Sequence, residues 1–299
     1  MGDTLLKILP VLLGFIGGFL LRRFGVAQQR DGDFLFRLVF SVFLPALVFT
    51  SLSTVRITAA LAVFPVSSAL FTVAGFGLAL LAARRAGWPP TQSAVLMIGC
   101  MIANSAFELP FVQALYGAEG VVRIAAFDVV NTVLTFTWVY LMAVRANPGR
   151  RRGASALTKR LAQSPALWAV VLGATVNLLG VTVPTPIHDS LAVFGSATAV
   201  IIPLAVGILF QPSAGQLGKA AVVIGVRLAA GLVVAVGLIL AFDLHGLDRT
   251  IMLLLGIAPI GFSTVTFASM EKLDERLAVT ALSLSLVLSL VLSMVVTVI

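Results

Sequence analysis

Residues 102–110 read Ile-Ala-Asn-Ser-Ala-Phe-Glu-Leu-Pro, and residues 256–264 read Gly-Ile-Ala-Pro-Ile-Gly-Phe-Ser-Thr. Each stretch sits inside a long apolar run and carries residues that interrupt a helix. Proline lacks an N–H and frees a backbone carbonyl, while Asn and Gly tolerate the non-helical turn that follows. In hydrocarbon a freed polar group is costly, so interrupted backbone survives only where it is buried in protein or lines a polar cavity. If both segments break and cross, two half-helix N-termini direct partial positive charge at one point near the bilayer midplane, which suits an anion. Two ordinary proline kinks are the competing reading; breaks at matched positions of two halves favour a binding site.

The rest of the chain places these stretches in a membrane. Of 299 residues, 60% are hydrophobic and 11% charged, and mean hydropathy is +1.10. A soluble domain carries roughly 25% charged residues. Cutting the chain at charge clusters and Gly/Pro turns gives ten apolar segments, at 4–22, 34–53, 59–83, 91–116, 121–144, 164–180, 188–211, 218–242, 249–270 and 276–298, each near the length that spans a bilayer. The expected fold is all-α and integral to the membrane, with ten transmembrane helices. The longest polar stretch, 146–163, is a basic cytoplasmic linker between five-helix units at 1–145 and 164–299. It is too short to fold alone. The first segment reads as a retained span rather than a secretory leader, because Asp3 and Lys7 make a poor positive n-region and no cleavage pattern precedes Arg22.

The net charge of +8 does not mark a nucleic-acid partner, because the charges flank apolar segments; the partner is the lipid bilayer. Of the 20 Lys and Arg residues, fifteen follow odd-numbered segments, four lie on the other side (Lys7, Arg56, Arg123 and Arg249), and Arg227 falls inside the eighth segment. Cytoplasmic loops carry the excess, so both termini are expected on the non-cytoplasmic side of the cell membrane. Cys100 stands alone and excludes an intrachain disulfide, and His188 and His245 make no metal cluster. No nucleophile and base pair stands out, so neither an enzyme nor a cofactor is expected.

Overlaying the chain on itself at an offset of 155 aligns Pro10 with Pro165, Gly18 with Gly173, Gly25-Val26 with Gly180-Val181, Ala103 with Ala258 and Phe107 with Phe262, while Gly99 falls near Gly256. Five spans per half is an odd number, so the second half starts on the opposite side of the bilayer, giving two inverted repeats. That plan is common in alternating-access carriers.

Residues 21–52 contain Arg-Arg-Phe-Gly-Val and Leu-Val-Phe-Ser-Val-Phe-Leu-Pro-Ala-Leu-Val-Phe. Residues 103–131 contain Ala-Asn-Ser-Ala-Phe-Glu-Leu-Pro-Phe, Tyr-Gly-Ala-Glu-Gly and Phe-Asp-Val-Val-Asn. Together these resemble the auxin efflux carrier family of membrane transporters. The resemblance covers the whole ten-span plan and is most specific over 34–131. It implies crossed broken helices, spans four and nine, in a mobile transport domain, with spans one, two, six and seven as scaffold. It further implies an elevator-type movement, small carboxylate substrates such as auxin-like acids or dicarboxylates, and a homodimer. Glu108 departs from the family pattern, which usually has a small residue there, and the long central loop of plant members is absent.

An ionisable side chain at bilayer depth costs about 2.5 to 3.5 kcal/mol on insertion scales, so each needs a partner or a task. Glu108, Asp128 and Arg227 are of this kind. Arg227 can hold a substrate carboxylate bidentately, snorkel, or pair with Glu108 or Asp128. Glu108 and Asp128 are candidate carriers of a coupling proton or sodium ion, the basis of the alternative reading as a cation- or proton-coupled antiporter. Asn131 follows Asp128 by three residues and shares its helical face. The candidate substrate contacts are Asn104, Ser105, Glu108, Pro110, Asp128, Asn131, Arg227, Pro259, Gly261 and Ser263. Gly14 and Gly18 read as close helix packing, Asn177 as structural, and Ser283, Ser285, Ser289 and Ser293 as packing or bonding to their own helix. The leading reading is a secondary carrier of an organic anion.

Overall fold

The computed structural model describes residues 2–55, 58–146 and 164–298. Helix α1 spans Gly2–Arg23. Helix α2, Gln29–Leu38, runs through a π-helical turn at Val39–Phe43 into α3, Leu44–Thr54. Pro45 cannot donate to the carbonyl one turn back, and the wider turn absorbs the slip: the Leu44 N–H reaches the carbonyl of Val39. Helix α4, Val63–Ala86, ends at Gly87, whose φ of 61° is left-handed. Then come α5, Pro90–Met101, and α6, Ser105–Leu134. Gly117 (φ 54°, ψ −143°) divides α6 into two arms, a conformation that essentially only glycine adopts. The arms fold back on each other closely enough that a Cβ on Gly120 would press on Val112 and Tyr116. After a second π-helical turn comes α7, Tyr140–Arg145.

The remaining helices are α8 (Pro165–Leu178), α9 (Thr185–Ser196), α10 (Thr198–Leu209), α11 (Leu217–Ala241), α12 (Gly246–Ile257), α13 (Phe262–Met270) and α14 (Glu275–Val298). Among the described residues the fold is all-helical without strands, and six helical runs are long and apolar enough to cross a membrane. The expected apolar segments all fall on helix, with shifted ends: the second begins at Gln29 rather than 34, and the seventh at Thr185 rather than 188. Pro110 does not interrupt its helix, contrary to its expected part in the break, because it sits in the second turn of α6, after the break has closed. Arg56 and the linker from 147 onward lie outside the described residues.

The helices sort into two packing groups. In the first, α1 lies against α10, α3 against α8 and α9, and α2 against α10. Glycine sets the distances: a Cβ on Gly18 would overlap the Leu204 carbonyl, and one on Gly207 the Phe15 carbonyl. Small residues let helix backbones touch in lipid, where dispersion contacts and hydrogen bonds drive association. The Gly14 and Gly18 spacing therefore serves packing within the chain. In the second group α4, α5, α7, α11, α12, α13 and α14 pack together. A Cβ on Gly75 of α4 would overlap the Cys100 carbonyl, and one on Gly231 of α11 would overlap the Gly256 carbonyl. Both the glycines and the carbonyls they meet are 156 residues apart. Helix α6 touches both groups.

Polar groups close the helix ends. The Asn177 amide donates to the carbonyls of Leu52 (2.9 Å) and Val55 (2.7 Å), two groups that the end of α3 leaves without intrahelical partners. Replacing Asn177 by alanine is expected to lower stability by about 1 to 2 kcal/mol, the scale of interhelical hydrogen bonds in membranes. Thermal unfolding in detergent measures this, and an unchanged midpoint would show that the bonds contribute nothing. At one end of the second group, Lys219 Nζ donates to Gln92 Oε1 (2.8 Å) and Gln92 Nε2 to Asp274 Oδ2 (2.9 Å). At another, Arg123 Nε meets Asp248 Oδ1 at 2.5 Å.

Candidate functional site

Helix α5 stops at Met101 and the chain resumes as helix at Ser105; α12 stops at Ile257 and helix resumes at Phe262. The two interruptions meet. Ala103 and Ile260 form a single antiparallel bridge, and the Asn104 N–H donates to the Pro259 carbonyl at 3.0 Å. Gly261 lets them close up, since a Cβ there would overlap the Ile102 side chain. Helices α6 and α13 open alike, with the Phe107 N–H on the Asn104 carbonyl (3.1 Å) and the Thr264 N–H on the Gly261 carbonyl (3.0 Å). Broken backbone at this depth must find partners within the protein, and other helices supply them. Asn131 Nδ2 donates to the Ala103 carbonyl (3.2 Å), Ser289 Oγ donates to the Ile257 carbonyl (2.7 Å), and Ser285 Oγ accepts from the Ile260 N–H (3.4 Å). Ser285 and Ser289 of α14 thus reach across to the ninth segment, Ser293 reaches Glu108 and Ser283 accepts from the Gln211 N–H, beyond the role of packing or bonding to their own helix that sequence suggests.

Arg227 is committed to the protein. Only 2% exposed, it donates from Nη2 to the Leu255 carbonyl (3.2 Å) and from Nη1 to the Gly256 carbonyl (3.4 Å). Its Cζ lies 5.9 Å from the centre of the Phe71 ring. A cation at this position complements the partial negative charge at the C-terminal end of α12. Among the described residues it has no ion pair with Glu108 or Asp128.

Glu108 is fully buried, with Oε2 accepting from Ser293 Oγ (2.9 Å) and Oε1 without a hydrogen-bond partner. Asp128 stands on the other arm of α6 and draws the junction together. Its Oδ1 accepts from Ser105 Oγ (2.6 Å) and Asn131 Nδ2 (2.9 Å). It lines a narrow slot of about 20 Å³, the room of one water. The opposite walls come from the first packing group: Leu44 and Val48 of α3, and Ala166, Leu167 and Val170 of α8. Asn104 is buried and its Nδ2 has no partner.

Of the expected contacts, the structure brings Asn104, Ser105, Asp128, Asn131, Pro259 and Gly261 together at the junction. Glu108 turns to α14, Arg227 caps α12, Pro110 stays within its helix, and Ser263 lies half-buried on α13. Sequence reasoning missed two groups. Gln113 ties α6 to the first packing group, its Oε1 accepting from Thr198 Oγ1 (2.8 Å) and its Nε2 donating to the Gly195 carbonyl (3.4 Å); a lone amide in an apolar segment was the available signal. Glu271 is fully buried and accepts from Tyr140 Oη (2.9 Å), yet it belongs to Glu-Lys-Leu-Asp-Glu-Arg, which reads as a solvated turn. A wider cleft of about 350 Å³ opens beside the ends of α3 and α8, with Asn177 and His188 among its lining residues.

Residues 4–297 match the model of a family described as membrane transport protein. The chain is 29% identical over 291 residues to an "uncharacterized transporter" of Methanothermobacter thermautotrophicus, covering 95% of this chain and 94% of that one. It is 21% identical over 285 residues to an uncharacterized transporter of Methanocaldococcus jannaschii, covering 92% of each.

Proposed function

The chain belongs to the membrane transport protein family, the auxin efflux carrier family that its motifs resemble, and from that premise we propose that it is a secondary carrier of small carboxylates. It is a multi-pass membrane transporter; the substrate class, the ten-span plan of two inverted repeats, the elevator-type movement and the placement of both termini outside the cytoplasm belong to the proposal. So do a homodimeric assembly and coupling to a proton or sodium ion.

The observation that carries this reading is the junction of the two breaks. Two interrupted segments, one from each half of the chain, bond to each other through Asn104 and Pro259, and a buried amide donor beside them is left without a partner. Buried donors are ordinarily bonded; an oxyanion is a suitable guest for this one. The equal spacing of Gly75 to Gly231 and of Cys100 to Gly256 supports two repeats. The packing groups support the moving parts: α1, α2, α3, α8, α9 and α10 form the scaffold, and the second group carries the junction past it. An antiporter with Glu108 and Asp128 as ion sites is the alternative.

Purified protein in liposomes is expected to take up labelled carboxylates; Asn104→Ala is expected to reduce the rate by about tenfold or more, the effect of losing a bond to a charged group, and Pro259→Ala to reduce it as well, because the restored N–H lets α12 run on through the break. Their unfolding midpoints should fall far less than this loss implies. Normal transport by both variants would show that the junction is not the site.

A further inference from the structure

An acidic side chain stands in the slot where the proposed cargo is itself an acid. Asp128 is the one ionisable residue among those lining the slot between α6 and the first packing group. Both hydrogen bonds to it go to Oδ1, from Ser105 and Asn131, leaving Oδ2 without a bond from any described residue. The Ser105 bond ties the carboxyl to the first residue of α6, so the protein's own acid already occupies that positive helix end. A second carboxylate can enter only if one negative charge is cancelled, because like charges in a poorly solvated site repel strongly.

Among the described residues, the surrounding elements supply no cation to the slot. On α6 itself the other ionisable residues are Glu108, facing Ser293, and Tyr116, Glu119 and Arg123 near the turn at Gly117. On elements packed against α6, among the described side chains, they are Arg22 and Arg23 of α1, Arg84 and Arg85 of α4, Asp248 and Arg249 of α12, and Glu275 and Arg276 of α14. None lines the slot, and α3, α8 and α10 carry no ionisable residue. Arg227 is held by the carbonyls of α12. No group of three His, Cys, Asp or Glu residues suited to a metal ion exists among the described residues. A proton needs only one free oxygen.

We propose that Asp128 carries a proton that crosses with each carboxylate, making the protein a proton–carboxylate symporter. On the acidic side Oδ2 takes up the proton and donates a hydrogen bond to the entering carboxylate. On the alkaline side the proton leaves, Asp128 regains its charge, and repulsion expels the substrate. This rests on the carboxylate-carrier reading and adds its coupling ion.

The test uses wild-type protein in liposomes holding a pH-sensitive dye, with labelled indole-3-acetate, pyruvate and succinate as probes and protein-free vesicles as the passive control. With a gradient of about one pH unit, alkaline inside, at least one probe should accumulate about tenfold, as one proton per substrate molecule requires. The lumen should acidify as it enters, and a protonophore should return the ratio to about one. In Asp128→Asn the accumulation ratio should lose its dependence on the gradient, and Asp128→Glu should restore part of it. Should Asp128→Asn fail to fold, the wild-type proton signal decides. Probe exchange without gradient-driven accumulation, accumulation driven by sodium at fixed pH, or tenfold accumulation in Asp128→Asn would overturn the proton role and leave the carrier reading standing. No transport of any probe above the protein-free control would overturn both.

Discussion

Gly231→Val is expected to abolish accumulation of folded protein in the membrane. The Gly256 carbonyl and the Arg227 guanidinium occupy the place where a Cβ would stand, and the carbonyl is backbone at the end of α12, which cannot swing aside as a side chain does. Overpacking a well-filled core costs about 1 to 3 kcal/mol where neighbours can shift, and here the neighbour is fixed. The matched position gives a second trial, since Gly75→Val meets the Cys100 carbonyl in the same way. Gly225 and Gly237 lie on the same helix with open space around them, so alanine there should be tolerated or stabilising by up to about 1 kcal/mol, the helix-propensity difference. Fluorescence-detected size exclusion of tagged variants measures all four. Equal profiles for Gly231→Val and Gly225→Ala would contradict the packing described.

Arg227→Ala should come next in severity. It removes donors from two buried carbonyls, and bonds from a charged donor contribute about 1.5 to 3 kcal/mol each, so a loss of about 3 kcal/mol or more is expected. That corresponds to a fall of very roughly 6 to 12 °C in the unfolding midpoint by the scaling of mid-sized domains. Arg227→Lys should recover little, because a compact ammonium does not span both carbonyls as a planar fork does. The competing outcome is informative: a variant of wild-type stability that binds substrate poorly would mean that Arg227 holds the carboxylate directly.

Much of the fold was legible because the membrane leaves few options. Runs of about twenty apolar residues between charge clusters must become helices, since only there are all backbone bonds satisfied internally. The junction was legible for the same reason: Asn104, Pro259 and Gly261 have no economical place in a continuous span unless something is built around them. Pro110 misled because the sequence alone does not say on which side of a proline a break falls. The chain overlays on itself at an offset of 155, whereas the packed glycines Gly75 and Gly231 lie 156 residues apart. The interruptions differ in length, three residues at 102–104 against four at 258–261, so no single offset fits both halves. Arg227 was ambiguous for a deeper reason. Its partners are carbonyls of another helix, and although Pro259 frees the Leu255 carbonyl, residue identity does not say which side chain reaches it. Glu271 was overlooked because burial beside Tyr140 depends on how α7 and α13 pack, which local polarity does not reveal.

The most direct test of the account is a structure of the protein with a transported carboxylate bound in a lipid bilayer. The account predicts density for the carboxylate at the meeting of Ala103 and Ile260, within hydrogen-bonding distance of the Asn104 amide and beside Asp128. A carboxylate seated instead in the cleft beside Asn177 and His188, with the Asn104–Pro259 junction unchanged and dry, would contradict it.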